Sequence, residues 1–343
     1  MIRVLVADDS AACREHLAGL LERDAELSVV GEAGDGEEAV RLAERLRPDV
    51  ILCAVHMPRM NGYEAARRIM ESCPAPVVMA TSIGSAGDAG AAFDALQAGA
   101  LAVVEKPAIA PDERSAAIAG ELVRTVRLMA GVRVVRRWPA QPAAPLAAAP
   151  AASRRPRVIA IGASTGGPAV VRRLLEALPD PLGCPILLVQ HITAGFTTAF
   201  AEWLGTATLR PVELARGGRR ALAGTVYVAP SGADLGISRA GTLTLRRRTQ
   251  PGGFCPSVSE LFRSVADVHG PGAVGIVLTG MGRDGAEGLL RLREAGGLTI
   301  VQDEASSVVF GMPAAAIELG AARRVLPPER IAGVVRSLMV EAA

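Results

Sequence analysis

Val158-Ile-Ala-Ile-Gly-Ala-Ser-Thr-Gly-Gly-Pro168 is a short apolar run that ends on a serine set among glycines. The pattern predicts a buried strand turning sharply into a helix. Such a turn lifts one side chain above the sheet edge, where the N–H groups of the turn and of the helix N-terminus favour developing negative charge. Gly162, Ser164 and Gly166 fit the G-x-S-x-G nucleophile elbow. A dinucleotide-binding turn needs glycine where Ser164 stands and an acid closing the next strand, and neither is present. A plain glycine-rich connection with Ser164 as a helix cap fits the same residues. Partners elsewhere in the chain decide between cap and nucleophile.

Two further apolar runs supply them. Pro185-Ile-Leu-Leu-Val189 is followed by Gln190-His191, and Ala273-Val-Gly-Ile-Val-Leu-Thr279 by the turn Gly280-Met-Gly-Arg-Asp284-Gly285. In an open parallel sheet, groups at the carboxyl ends of several strands meet in one crevice, so Ser164, His191 and Asp284 can converge. Histidine there takes the serine proton, and a carboxylate fixes its tautomer. His16, His56 and His269 fall in a helix, a loop and a helix end. Taken singly, His191 reads as a histidine satisfied by backbone and Asp284 as a cap for a helix over 285–295. Asp303, after the run Leu298–Val301, rivals Asp284 for the third role. The order Ser, His, Asp differs from that of the α/β-hydrolases, which disfavours an ordinary lipase or esterase.

Composition sets the frame. The 343 residues suffice for about two domains, and 50% hydrophobic with 21% charged residues reads as globular. A net charge of +2 and 3% aromatic residues give no reason to expect nucleic-acid binding, and Arg246–Arg248 reads as a solvated hairpin or loop face. Five cysteines without paired metal-ligand spacing, a first apolar run ending in Asp8-Asp9, and no membrane-length apolar stretch point to a cytoplasmic protein with no membrane insertion. No cofactor is implied.

Alanine, proline and arginine dominate 138–156, an extended spacer. It divides the chain into 1–130, a linker at 131–156, and 157–343. Both flanking parts alternate Val/Ile-rich runs with amphipathic stretches, which predicts α/β folds with doubly wound, mainly parallel sheets. In the first part, strands are predicted over 3–7, 27–33, 50–54, 76–80 and 102–105, with helices near 11–22, 36–46, 62–71, 89–98 and 112–129. Five βα units in this length suggest a flavodoxin-like fold. Asp8, Asp9, Thr81 and Lys106 then share one sheet edge, a composition suited to a divalent cation such as Mg²⁺ and a phosphoryl group.

These residues resemble the receiver domain of bacterial response regulators. That family ends its third strand in a phosphoacceptor aspartate, within a pattern like D-V-x-x-x-D-x-x-M-P, whereas this chain reads Asp49-Val-Ile-Leu-Cys-Ala54-Val-His-Met-Pro58. Alanine accepts no phosphoryl group, and Asp49 lies five strand residues away, about 16 Å, at the opposite edge. The resemblance therefore implies a degenerate receiver site in which Lys106 is the nearest counter-charge for the neighbouring acids Asp8 and Asp9, left with a structural ion pair, and aspartyl phosphorylation does not control the protein.

The second part is similar to the catalytic domain of the chemotaxis protein-glutamate methylesterases. Its motifs are I-G-A-S-T-G-G-P at 161–168, Q-H at 190–191, F-T-x-x-F-A at 196–201, L-T-G-M-G-R-D-G at 278–285 and Q-D-E-A-S-S-V-V-F-G-M-P at 302–313. The resemblance implies Ser164 as nucleophile, His191 as base and Asp284, rather than Asp303, as orienting acid. Thr165 and Met281 become candidates for the turn that holds the oxyanion. It also implies hydrolysis of γ-glutamyl methyl esters on chemoreceptors, possible deamidation of receptor glutamines, and a chemosensory histidine kinase as a further partner. The contrasting expectation is a non-catalytic regulator that binds receptor or kinase. Ala229-Pro-Ser-Gly-Ala-Asp-Leu235, without the histidine some family members carry there, and Ile192-Thr193 after His191 depart from the family pattern. Against the family pattern, these departures bear on the receptor-facing surface more than on the chemistry.

Overall fold

The computed structural model describes residues 1–82, 93, 96, 99–109, 112–132, 155–193, 195–247 and 255–340. The helix predicted near 89–98 and most of the 131–156 linker lie outside the described residues, as does Arg248. The chain divides into two compact units, Met1–Pro139 and Ala140–Ala343.

In the first unit, β1 (Ile2–Ala7), β2 (Leu27–Ala33), β3 (Val50–Ala54), β4 (Val77–Thr81) and β5 (Ala102–Glu105) form one sheet in the order 2-1-3-4-5. All four pairings are parallel. That is the flavodoxin-like order. β3 and β4 are buried along their whole length, as expected of parallel strands covered on both faces. The helices Ala11–Leu21, Gly36–Leu46, Gly62–Ser72 and Glu113–Ala130 (α1 to α4) begin at Ser10, Asp35, Asn61 and Asp112. Each of these side chains accepts a first-turn N–H that the helix itself leaves unpaired.

In the second unit, β6 (Val158–Ala163), β7 (Ile186–Gln190), β8 (Val212–Leu214), β9 (Val226–Val228), β12 (Ala273–Val277), β13 (Leu298–Gln302) and β14 (Arg324–Leu326) make a parallel sheet, ordered 14-13-12-6-7-9-8. β10 (Ala233–Ile237) and β11 (Leu243–Arg247) form a separate antiparallel pair. Arg246 and Arg247 on this hairpin are exposed. The helices α5 (Gly167–Ala177), α6 (Thr197–Thr208), α7 (Val258–His269), α8 (Ala286–Glu294), α9 (Gly311–Glu318) and α10 (Pro328–Val340) complete the unit. β6 and β12 are sheet neighbours far apart in sequence, and β7 lies on the other side of β6. The crevice of this sheet therefore opens outside the ends of β12, β6 and β7. No described helix is long and apolar enough to cross a membrane.

Candidate active site

The three adjacent strand ends carry Ser164, His191 and Asp284. Ser164 directly follows β6, where its N–H donates to Thr279 O at 3.0 Å, extending the β6–β12 pairing by one residue. On the other side, His191 N–H donates to Ala163 O at 2.9 Å. Ser164 thus sits at the end of β6 between the two neighbouring strands, and its side chain is half-buried.

The turn that follows is clamped. Gly167 N–H donates to Ser164 O at 2.8 Å, and Gln190 Nε2 donates to Ser164 O at 2.8 Å and to His191 O at 2.9 Å. Gly166 has φ +73°, a left-handed conformation natural to glycine, and a Cβ there would overlap Val308. Thr165 is half-buried, with its carbonyl 3.0 Å from Thr279 Oγ1. Thr279 in turn donates its N–H to Gln302 Oε1 at 2.7 Å. Gln190 and Gln302 are buried polar residues that each end an apolar strand, and that break in pattern is the signal that marks them in the sequence, although their clamping role was not read from it.

His191 and Asp284 meet directly, Nε2 to Oδ2, at 3.0 Å. Asp284 does not cap the helix that follows it. α8 starts from Gly285 with no side-chain cap. The carboxylate instead sits on the N-terminus of α7, where Val258 N–H donates to Oδ2 at 2.7 Å and Ser259 N–H to Oδ1 at 3.0 Å. Gly285 N–H and Ser257 Oγ add donors to Oδ1, both at 2.9 Å. α7 can approach this closely because Gly162 has no side chain, and a Cβ there would overlap Val258. Burial on its own pushes the Asp284 carboxyl up, but the hydrogen bond and charge of His191, with the Ser259 and Val258 N–H groups, outweigh it and hold the group well below the usual carboxylate range. The helix dipole acts in the same direction.

Asp303 lies elsewhere. It follows β13 and turns into its own loop, accepting Ser306 N–H at 3.1 Å and pairing closely with Ser306 Oγ. Met281 is partly exposed on a turn whose preceding residue, Gly280, donates its N–H to Val309 O at 3.0 Å and accepts Met312 N–H at 2.8 Å. The α7 N-terminus is the part of this site that the strand-by-strand reading passed over. The capping pattern Ser257-x-x-Glu260 marks it in the sequence, and Ser257 Oγ does accept Glu260 N–H at 3.3 Å.

At the sheet edge of the first unit, Lys106 Nζ lies 2.6 Å from Asp8 Oδ2. Asp8 is buried, Asp9 is exposed, and Thr81 is buried at the end of β4. Ala54 closes β3 beneath them, fully covered. Asp49 is at the opposite end of the sheet, accepting Arg3 N–H at 2.8 Å. Burial pushes the thiol of Cys53 up to about 12, with Lys106 opposing and Asp8 adding to the shift, so it offers no thiolate in place of the missing carboxylate. Among the described residues, no group of three or more His, Cys, Asp or Glu side chains is placed to hold a metal ion.

Residues 159–335 match the family described as CheB methylesterase, and residues 4–119 that described as response regulator receiver domain. The chain is 45% identical to the protein-glutamate methylesterase/protein-glutamine glutaminase 1 of Syntrophus aciditrophicus, across 98% of both chains. It is 47% identical to enzyme 3 of that name from Anaeromyxobacter dehalogenans, across 97% of both. Among solved structures, it is similar to the CheB methylesterase catalytic domain of Thermotoga maritima at TM-score 0.51 and 33% identity, covering 53% of this chain and 98% of that one.

Proposed function

The chain belongs to the CheB methylesterase family, and from that membership we propose that it hydrolyses γ-glutamyl methyl esters on chemoreceptors, with Ser164, His191 and Asp284 as its catalytic residues. Deamidation of receptor glutamines is the companion reaction. Residues 1–130 act as a receiver-like unit, 131–156 as the linker and 157–343 as the catalytic unit.

The observation that carries the chemistry is the 3.0 Å contact between His191 Nε2 and an Asp284 carboxylate anchored on the α7 N-terminus, at strand ends adjoining that of Ser164. An ionised carboxylate only accepts, so Nε2 carries the ring proton and Nδ1 is the basic nitrogen. Ser164 Oγ attacks the ester carbonyl as Nδ1 takes its proton, and the imidazolium then gives that proton to the departing methoxide. Water attacks the acyl-enzyme with the same base and leaves a free glutamate carboxylate. Backbone N–H groups of the Thr165 and Met281 turns are the candidate donors to the oxyanion, a role worth a few kcal/mol. Methanol release from methylated receptor membranes by the full chain tests this. Ser164→Ala is expected to lower the rate by more than about 10³-fold. A variant as active as the wild type would overturn Ser164 as the nucleophile, and no release by either protein would instead favour a non-catalytic regulator that binds receptor or kinase.

Control by aspartyl phosphorylation is absent in this reading, because Ala54 offers no acceptor oxygen and the Asp8–Lys106 pair is satisfied within the unit. An acyl phosphate with Mg²⁺ is expected to leave the protein's mass unchanged. A gain of one phosphoryl group in the 1–130 region would overturn this part.

A further inference from the structure

The reaction uses Asp284 only through Oδ2, yet its other oxygen is the more heavily bonded. Oδ1 accepts from Ser257 Oγ at 2.9 Å, Gly285 N–H at 2.9 Å and Ser259 N–H at 3.0 Å. Of these three donors, the Ser257 hydroxyl alone belongs to a side chain, and the sequence is therefore free to change it. Ser257 is itself fixed from behind. Its N–H donates at 2.8 Å to Oδ1 of Asp234, a buried acid on β10. β10 belongs to the hairpin rather than to the main sheet. An unbroken set of bonds therefore runs from Asp234 through Ser257 to Asp284 and His191.

We propose that Ser257 is a positioning residue for catalysis, held in place by Asp234, which fixes the Asp284 carboxylate so that Oδ2 faces His191. A carboxylate turns about its Cβ–Cγ bond on a broad, roughly two-fold torsion. Backbone donors at both oxygens narrow that rotation, and the Ser257 hydroxyl adds a third donor on Oδ1 that opposes what remains. Outer partners that orient a metal-bound imidazole typically change activity or affinity by about 10 to 100-fold, and the same scale is expected where a carboxylate orients a catalytic one. Ser257 also caps α7, through its bond from Glu260 N–H. Its loss has a stability component that must be separated from the positioning one, and threonine, which caps nearly as well, does so.

The test compares Ser257→Ala, Ser257→Thr and Asp234→Ala in the full chain, reading methanol release and the ring N–H resonance of His191 in protein with ¹⁵N-labelled histidine. The chain has four histidines, so its spectrum is small. In Ser257→Ala, kcat is expected to fall roughly tenfold with KM within about twofold, and the His191 ring proton to lose protection from exchange. Ser257→Thr is expected to restore both, and Asp234→Ala to reproduce the alanine effect on the ring proton. A wild-type kcat and a protected ring proton in Ser257→Ala would overturn the proposal. So would a loss that Ser257→Thr fails to recover at unchanged melting temperature. The proposal takes its reaction from the esterase reading. Should the wild type release no methanol, that reading falls, and the ring-proton comparison still decides whether Ser257 positions the pair.

Discussion

The two units solve the same topological problem and put opposite chemistry on it. Each has a parallel sheet whose strand order reverses at one point, between β1 and β3 in the first and at β6 in the second, and each gathers polar side chains outside the strand ends there. In the second, Asp284, its side chain 10% exposed, is held ionised by a histidine, two helix N–H groups, a neighbouring N–H and a hydroxyl. In the first, the buried acid Asp8 has Lys106 at 2.6 Å and Ser10 N–H at 3.0 Å, with Ala54 where a second carboxylate would stand. A fold supplies the edge, but a working site also needs a charged group held so that it faces a histidine rather than one neutralised by a lysine.

The strongest way to break the comparison is to remove the ionised face of Asp284. Asn at this position has a single acceptor oxygen, which the three donors on the Oδ1 side claim. Its amide then faces His191 and stabilises the wrong tautomer. Asp284→Asn is therefore expected to lower kcat by about 10⁴-fold, read as methanol release. The pH dependence has a definite sign. Because the folded group lies below its ordinary value of 3.8, its contribution to stability is present above that pH and lost as the pH falls toward the folded value. The difference in urea midpoint between wild type and Asp284→Asn is expected to shrink as the pH falls below about 4. A difference that grows in acid would contradict the assignment.

The corresponding change in the first unit has a smaller expected effect, and on stability instead of rate. Lys106→Met keeps the aliphatic stem but leaves Asp8, 1% exposed, without its cation. Breaking a buried pair from one side costs about 3 kcal/mol, because the remaining charge is uncompensated. Hydrogen exchange at β1 and β3 in the full chain reads that loss locally, and unaltered protection there would mean that the pair contributes nothing. Ala54→Asp sharpens the same point. It places a second carboxylate beside Asp8 in the degenerate site, and the variant is expected to gain labelling by an acyl phosphate with Mg²⁺ that the wild type lacks.

The strand ends were legible because apolar runs of Val, Ile and Leu stop abruptly at a polar residue: Ala7 before Asp8, Ala163 before Ser164, Val189 before Gln190. The flavodoxin-like order followed from five such runs separated by helix-length stretches. Strands β8 to β11 escaped this reading. Val212–Leu214 and Val226–Val228 are only three residues long, and β10 reads Ala-Asp-Leu-Gly-Ile, where a buried acid interrupts the apolar pattern. Choosing Asp284 over Asp303 was beyond periodicity as well. Both follow buried strands, and the difference lies in which loop turns inward, which depends on Ser306 capturing Asp303 and on the α7 N-terminus capturing Asp284.

The smallest expected effect comes from the residue next to the largest. Arg283 precedes Asp284 on the same turn and pairs with Glu318 at 3.2 Å, but its side chain is 70% exposed and that of Glu318 65%. Water screens this pair and competes for both partners, so a double-mutant cycle on Arg283→Ala and Glu318→Ala is expected to give a coupling of under about 0.5 kcal/mol, falling further in salt. His191 and Asp284, at nearly the same separation, have side chains only 9% and 10% exposed. Distance is thus almost matched between the two pairs, and access of water is what differs. A coupling above about 1 kcal/mol for Arg283 and Glu318 would mean that the outer pair braces the turn, and that burial alone does not separate the catalytic pair from its neighbour.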